Sequence, residues 1–165
     1  MFKPFARAAL AALALVAVAS SAQAAAGTTV DVSLWDKGAM AEMATNHGIG
    51  KGMAMSSDMM GANMGIKLST QTVPAGDVTF EVINASKDTV HEMVVFPYKE
   101  GQEFPYSESE SKIDEDAAGH IGEVSELEPG QSGALRISLK PGKYALICNI
   151  AGHYLNGMWA ILTVK

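Results

Sequence analysis

Apolar and polar residues alternate in short runs along most of the chain. The runs are Val30, Val32 and Leu34; Ile66 and Leu68; Val78, Phe80 and Val82; and Leu135, Ile137 and Leu139. A period of two sends those side chains to one face of an extended segment, so each run predicts a strand with one face in a core. Turn-forming residues stand between the runs, at Pro74-Ala75-Gly76, Pro129-Gly130 and Pro141-Gly142. Two further strands are expected from Tyr144 to Ile150 and from Met158 to Val164. The pattern predicts an all-β fold, a β-sandwich or barrel of about six to eight strands.

The first 24 residues break this pattern. Lys3 and Arg7 precede an apolar run from Ala8 to Ala19, and Ala22-Gln23-Ala24 follows as a small-residue cleavage site. That order is the pattern of a secretory signal peptide. The apolar run is well short of the roughly 20 residues that span a bilayer, and no other segment is long and apolar enough to do so. The expected plan is a signal peptide over 1–24, an N-terminal strand and a methionine-rich segment over 25–64, and a core over 65–165. Residues 25–165 would form one globular domain, soluble in the periplasm and without stable membrane insertion.

Composition narrows the chemistry. Without Lys3 and Arg7 the exported chain keeps 10 of its 12 basic residues against 18 acidic ones, a formal charge of −8. Nucleic-acid binding rests on basic side chains that neutralise phosphate, so nucleic acid is not an expected partner. The acidity either serves solubility or steers a basic partner. Cys148 is the only cysteine. In an oxidising compartment a lone thiol has no internal disulfide partner, and burial or metal ligation would protect it.

Cys148, His153 and Met158 follow one another at Cys-x4-His-x4-Met spacing. Thiolate and thioether are soft donors that favour Cu(I), whereas imidazole accepts either copper oxidation state. Two His and one Cys in a plane with a distant axial Met make the blue-copper electron-transfer geometry. Zinc suits this set poorly, because a thioether is not among its usual ligands. Met158 could instead pack the core beside Trp159. Of the four histidines, at 47, 91, 120 and 153, His91 alone ends an apolar strand-like run after an Asn-containing turn.

Here the sequence resembles the cupredoxins, the small blue copper proteins. The loop from Cys148 to Met158 is similar in order and spacing to that of the rusticyanin and auracyanin branch. The resemblance extends to Val73-Pro74-Ala75-Gly76-Asp77-Val78-Thr79-Phe80-Glu81-Val82-Ile83-Asn84, to His91 in Thr89-Val90-His91-Glu92-Met93, to Leu127-Glu128-Pro129-Gly130-Gln131, and to Pro141-Gly142-Lys143-Tyr144. It covers about residues 65 to 165. Two positions depart from the family pattern: Glu92 stands where an Asn often follows the first copper His, and Ala151 where Pro is frequent. The resemblance implies a Greek-key topology for the β-sandwich or barrel, and one type 1 copper held by His91, Cys148, His153 and axial Met158. It also implies electron exit at the edge of His153, ringed by Tyr154 and Leu155, unless those two residues are buried.

Two segments fall outside this plan. Residues 40 to 64 hold Met40, Met43, Met53, Met55, Met59, Met60 and Met64, interrupted by glycines. Thioethers select Cu(I), so Met53, Met55, Met59, Met60 and Met64, joined by His47, are candidates for a second Cu(I) site; the alternative is adaptable packing against the domain. Residues 107 to 128 are rich in acids around His120 and read as an insertion, a solvated loop with a short helical turn. His120 with Asp114 or Asp116 matches no recognised metal-site spacing.

The expected function is therefore a periplasmic one-electron carrier with one copper, exchanging electrons with a cytochrome or copper enzyme. The alternative is a copper-resistance or copper-delivery protein that meets a copper-handling partner through the methionine-rich segment. Multicopper catalysis is not expected, because only His47 and His120 are left to build further copper sites.

Overall fold

The computed structural model describes residues 27–38 and 62–165. The expected signal peptide, His47 and every methionine of the 40–64 segment except Met64 lie outside the described residues. The strands are β1 (Thr28–Asp36), β2 (Met64–Leu68), β3 (Thr72–Val73), β4 (Gly76–Asn84), β5 (His91–Tyr98), β6 (Tyr106–Ser107) and β7 (Lys112–Ile113). A one-turn helix α1 (Glu115–Ala118) follows, and then β8 (Gly122–Leu127), β9 (Ser132–Leu139), β10 (Gly142–Ile147) and β11 (Trp159–Val164). Eight of these strands have five or more residues, which agrees with the expected number.

Two sheets face each other. One runs β2-β1-β4-β9 and the other β3-β11-β10-β5-β8. In the first sheet β1 lies parallel to β4, and β4 pairs antiparallel with β9 from Gly76↔Leu139 to Ile83↔Ser132. The alternation seen in the sequence explains the core. Val30, Val32, Leu34, Val78, Phe80 and Val82 are all buried, while Asp31 and Glu81 between them face solvent. They meet Met93, Val95, Leu146, Leu162 and Val164 from the opposite sheet. Burial of such side chains stabilises the fold by roughly 1.5–3 kcal/mol each.

The inner strands of the second sheet are apolar on both faces. In β5, Met93 and Val95 point into the core between the sheets, whereas Val94, Phe96 and Tyr98 enter a second cluster with Phe104, Ile113, Ala145, Ile147, Tyr154 and Trp159. The segment that follows β5 covers this outer face. This corrects the expectation of a solvated loop over 107 to 128. The short helical turn is present as α1, but Ile113 is buried, and residues 122–127 form β8 at the edge of the five-stranded sheet. The alternation of β8 is broken by a bulge: His91 pairs with Leu127 but Met93 with Val124, so one residue of β5 faces two of β8.

Where the edges of the two sheets approach, side-chain volume is limiting. A Cβ at Gly133 on β9 would lie 2.6 Å from Cγ1 of Val124 on β8. Val124 is buried and β-branched, so it has little freedom to yield. Gly133→Ala is expected to lower stability by about 1–3 kcal/mol in urea unfolding, and Gly133→Ala with Val124→Ala to recover part of that loss.

Candidate metal centre

The connection between β4 and β5 is fixed by one amide. Asn84, fully buried at the end of β4, donates from Nδ2 to the carbonyls of Thr89 and Leu127, each at 2.8 Å, and accepts at Oδ1 from the Ser86 N–H. These bonds satisfy backbone groups that the turn would otherwise bury unpaired. They also set where β5 begins, and its first residue is His91. This accounts for the Asn that the sequence places shortly before that histidine.

The other expected ligands come from the β10–β11 connection. Cys148 directly follows β10, and its N–H donates to the Met158 carbonyl at 3.0 Å; the Met158 N–H donates to the His153 carbonyl at 3.1 Å. Gly152 and Gly157 adopt φ of 81° and 91°, which lets the chain reverse around a 3-10 turn at Tyr154–Asn156. Ala151 gives the loop no proline stiffness, and hydrogen bonds replace it. Gly152 N–H donates to Ser111 O at 2.8 Å, and Asn156 Nδ2 to Gly152 O at 2.7 Å.

These elements bring three donors together. Cys148 Sγ lies 3.4 Å from His153 Nδ1 and 3.9 Å from His91 Nδ1, and the two imidazole nitrogens are 3.2 Å apart. A circle through the three atoms has a radius of about 2 Å, the length of a metal–nitrogen bond. His91, Cys148 and Met158 are completely buried, and His153 is 6% exposed. Among the described residues no other three His, Cys, Asp or Glu side chains converge in this way. His120 is exposed, and Asp114 instead caps α1 by accepting from the Ala117 N–H. Tyr154 is buried against Phe104 and Tyr106, so burial rather than exposure describes it.

A fifth residue was not foreseen from the sequence. Asp36, the last residue of β1, places Oδ2 2.7 Å from His91 Nε2, and its side chain is 3% exposed. Burial raises the Asp36 pKa, but hydrogen bonds from Ser86, His91 and the Gly38 N–H outweigh it and hold the carboxyl below its usual range. With the carboxylate accepting from Nε2, His91 keeps Nδ1 free to act as a donor atom. The sulfur is also held: the N–H groups of Glu92, at 3.5 Å, and of Ile150 point to Sγ.

Burial dominates the electrostatics. It pushes the Cys148 thiol up to about 12, and it pulls His153 down to about 4 with help from neighbouring His91. His91 is also lowered, chiefly by burial. Three neutral donors in a dry pocket are poised to exchange the thiol proton for a soft metal ion. The Glu92 carboxyl goes the other way: burial, then Glu126 and Glu115, raise it to about 7.

Comparison with known proteins agrees with this architecture. A model of the sulfocyanin (SoxE) domain matches residues 119–165. No curated protein sequence matches the chain significantly. Among solved structures, reduced auracyanin from Roseiflexus castenholzii is 19% identical, with a TM-score of 0.50 over 85% of this chain and 98% of its own. Rusticyanin from Thiobacillus ferrooxidans is 17% identical, with a TM-score of 0.52 over 85% and 79%. Auracyanin A, a "blue" copper protein from Chloroflexus aurantiacus, is 18% identical, with a TM-score of 0.50 over 85% and 100%. The chain has the cupredoxin fold.

His153 and Glu92 have opposite consequences for the metal-free protein. The folded pKa of His153 lies below its unfolded value of 6.5, so this group's contribution is complete above pH 6.5 and lost as pH falls toward 4. Glu92 is raised from 4.5 to about 7, so its contribution is complete below pH 4.5 and lost as pH rises toward 7. Between pH 4.5 and 6.5 the two oppose each other. In urea unfolding of the metal-free protein, His153→Gln should therefore gain stability relative to wild type on acidification through this window, and Glu92→Gln should lose it.

Proposed function

We propose that the chain is a periplasmic type 1 copper protein acting as a soluble one-electron carrier, with His91, Cys148 and His153 as the copper ligands in one plane and Met158 as the axial ligand. The observation that carries this reading is the triangle of three buried donor atoms whose circumscribed radius is about one metal–ligand bond. The donor chemistry supports copper over zinc, since Met158 sits fully buried at the end of the same loop. Bound copper would supply a one-electron couple.

The protein's part is to hold the donors still and dry. Asp36 and Asn84 fix His91 from one side, and the β10–β11 ladder fixes Cys148 and Met158 from the other. Ligands positioned by the scaffold move little when charge changes, which favours fast electron exchange. The N–H groups of Glu92 and Ile150 stabilise negative charge on sulfur. The pattern of residues 1–24 supports export to the periplasm. Among the described residues no helix is long and apolar enough to cross a membrane. Such a carrier exchanges electrons with a cytochrome or copper enzyme.

A second reading rests on the density of methionine between residues 40 and 64, seven in that stretch. Under it the protein binds additional Cu(I) at Met53, Met55, Met59, Met60 and Met64 for copper resistance or delivery, and hands it to a copper-handling partner.

Copper titration against a Cu(I) chelator separates the two. The carrier is expected to take one equivalent and to turn intensely blue on oxidation, with the colour lost in Cys148→Ser while the fold survives. Extra equivalents removed by replacing the five methionines would establish copper handling, and a colourless oxidised copper form would overturn the type 1 assignment. In the same assay Asp36→Ala is expected to weaken copper binding about 10- to 100-fold, because an unsupported His91 loses its orientation.

A further inference from the structure

Asp36 brings a charge, as well as a hydrogen bond, to the edge of the site. Its side chain is 3% exposed, and Oδ2 lies 2.7 Å from Nε2 of a histidine with no exposed side-chain surface. The ion pairs Arg136–Asp77 and Lys143–Glu100 differ, with side chains 38% to 70% exposed, where water and salt screen them. A charge in the dry interior keeps its reach over several ångströms. Only one imidazole ring separates this one from the Nδ1 that faces Cys148 and His153.

The fold shares that charge without cancelling it. The Gly38 N–H donates to Oδ1 at 2.5 Å, and Ser86 and His91 also donate to the carboxylate. Burial disfavours a proton on the second ring nitrogen of His91, so all three partners are neutral dipoles rather than cations. Across the β1–β2 ladder the residue paired with Asp36 is Met64, which is buried and carries no charge.

We propose that Asp36 is a positioning residue that sets the redox bias of the centre: its fixed negative charge, delivered through His91, favours Cu(II) over Cu(I) and makes the reduced protein a stronger electron donor. The proposal deepens the carrier reading and rests on it. A negative charge stabilises the ion of higher positive charge more, so the one-electron couple falls in potential. The hydrogen bond acts in the same direction, because an imidazole that donates to a carboxylate is a more basic ligand. A protein built to store Cu(I) gains nothing from such a charge beside its ligand, so Asp36 suits electron transfer at this site better than storage.

The test uses the mature protein at neutral pH, with Cu(I) and Cu(II) affinities measured against competing chelators and the potential by voltammetry. Asp36→Asn keeps the size of the side chain and an accepting oxygen, and removes the charge. It is expected to raise Cu(I) affinity relative to Cu(II) about tenfold or more, each tenfold being about 59 mV for one electron. Ser86→Ala keeps the charge with one donor fewer to share it, so the ratio should fall below wild type by about twofold or more. Asp31→Asn, exposed on the same strand, should change it by less than about twofold. An unchanged ratio in Asp36→Asn, or a Ser86→Ala ratio that does not fall below wild type, would overturn the proposal, since damage to the site alone has no reason to send the two variants in opposite directions. In the metal-free protein, NMR of the imidazole nitrogens should find His91 protonated at Nε2, and a proton on Nδ1 would overturn it too. A colourless oxidised copper form would count against the carrier reading, while the affinity ratio would still report what the charge does.

Discussion

The hydrogen bond from the Cys148 N–H to the Met158 carbonyl closes the β10–β11 ladder at the base of the ligand loop. The rest of the site depends on it. With Cys148 and Met158 held across from each other, the residues between them reverse the chain. The glycines at 152 and 157 take left-handed conformations, the 3-10 turn forms, and the Met158 N–H reaches the His153 carbonyl. Three donor residues are positioned by backbone bonds before any metal is considered. The fourth, His91, comes from the neighbouring strand, since β5 pairs directly with β10 from Lys143↔Tyr98 to Ile147↔Val94.

What holds His91 is assembled from the opposite sheet. β1 and β5 belong to different sheets, yet Asp36 and His91 meet at 2.7 Å. This contact and the Asn84 amide bracket the imidazole, one at its ring nitrogen and the other through the turn that precedes it. Hydrogen bonds from Ser86 and the Gly38 N–H share the charge of the Asp36 carboxylate that faces this buried histidine. The site is therefore a joint between the two layers, and not an ornament on one of them.

The legible part of the molecule was the part in which local pattern and tertiary role coincide. Val30, Val32 and Leu34, and likewise Val78, Phe80 and Val82, announced strands because each strand has one wet face. Cys148, His153 and Met158 were visible because one loop carries all three. β8 was missed because its bulge spaces Val124 and Leu127 three apart and erases the period of two, so its acids dominated the reading. The cover over the outer face of the second sheet was missed for a related reason: Phe104 and Ile113 are isolated apolar residues whose partners lie in other strands. Asp36 had no signal at all. An acid at a strand end before Lys37-Gly38 reads as the start of a turn, and its partner is 55 residues away.

The span of the site along the chain bears on how the protein is made. Asp36 belongs to the first described strand, whereas Met158 follows 122 residues later, just before the last described strand. β1 also finds its parallel neighbour only after β4 has been synthesised. The full donor set comes together only once the segments from Asp36 to Met158 have met across both sheets, so a metal would enter a pocket that the folded layers have built. His91, Cys148 and Met158 have no exposed surface, and the slightly exposed His153 is the one donor at the threshold. Its imidazole stands at the door through which the metal would pass.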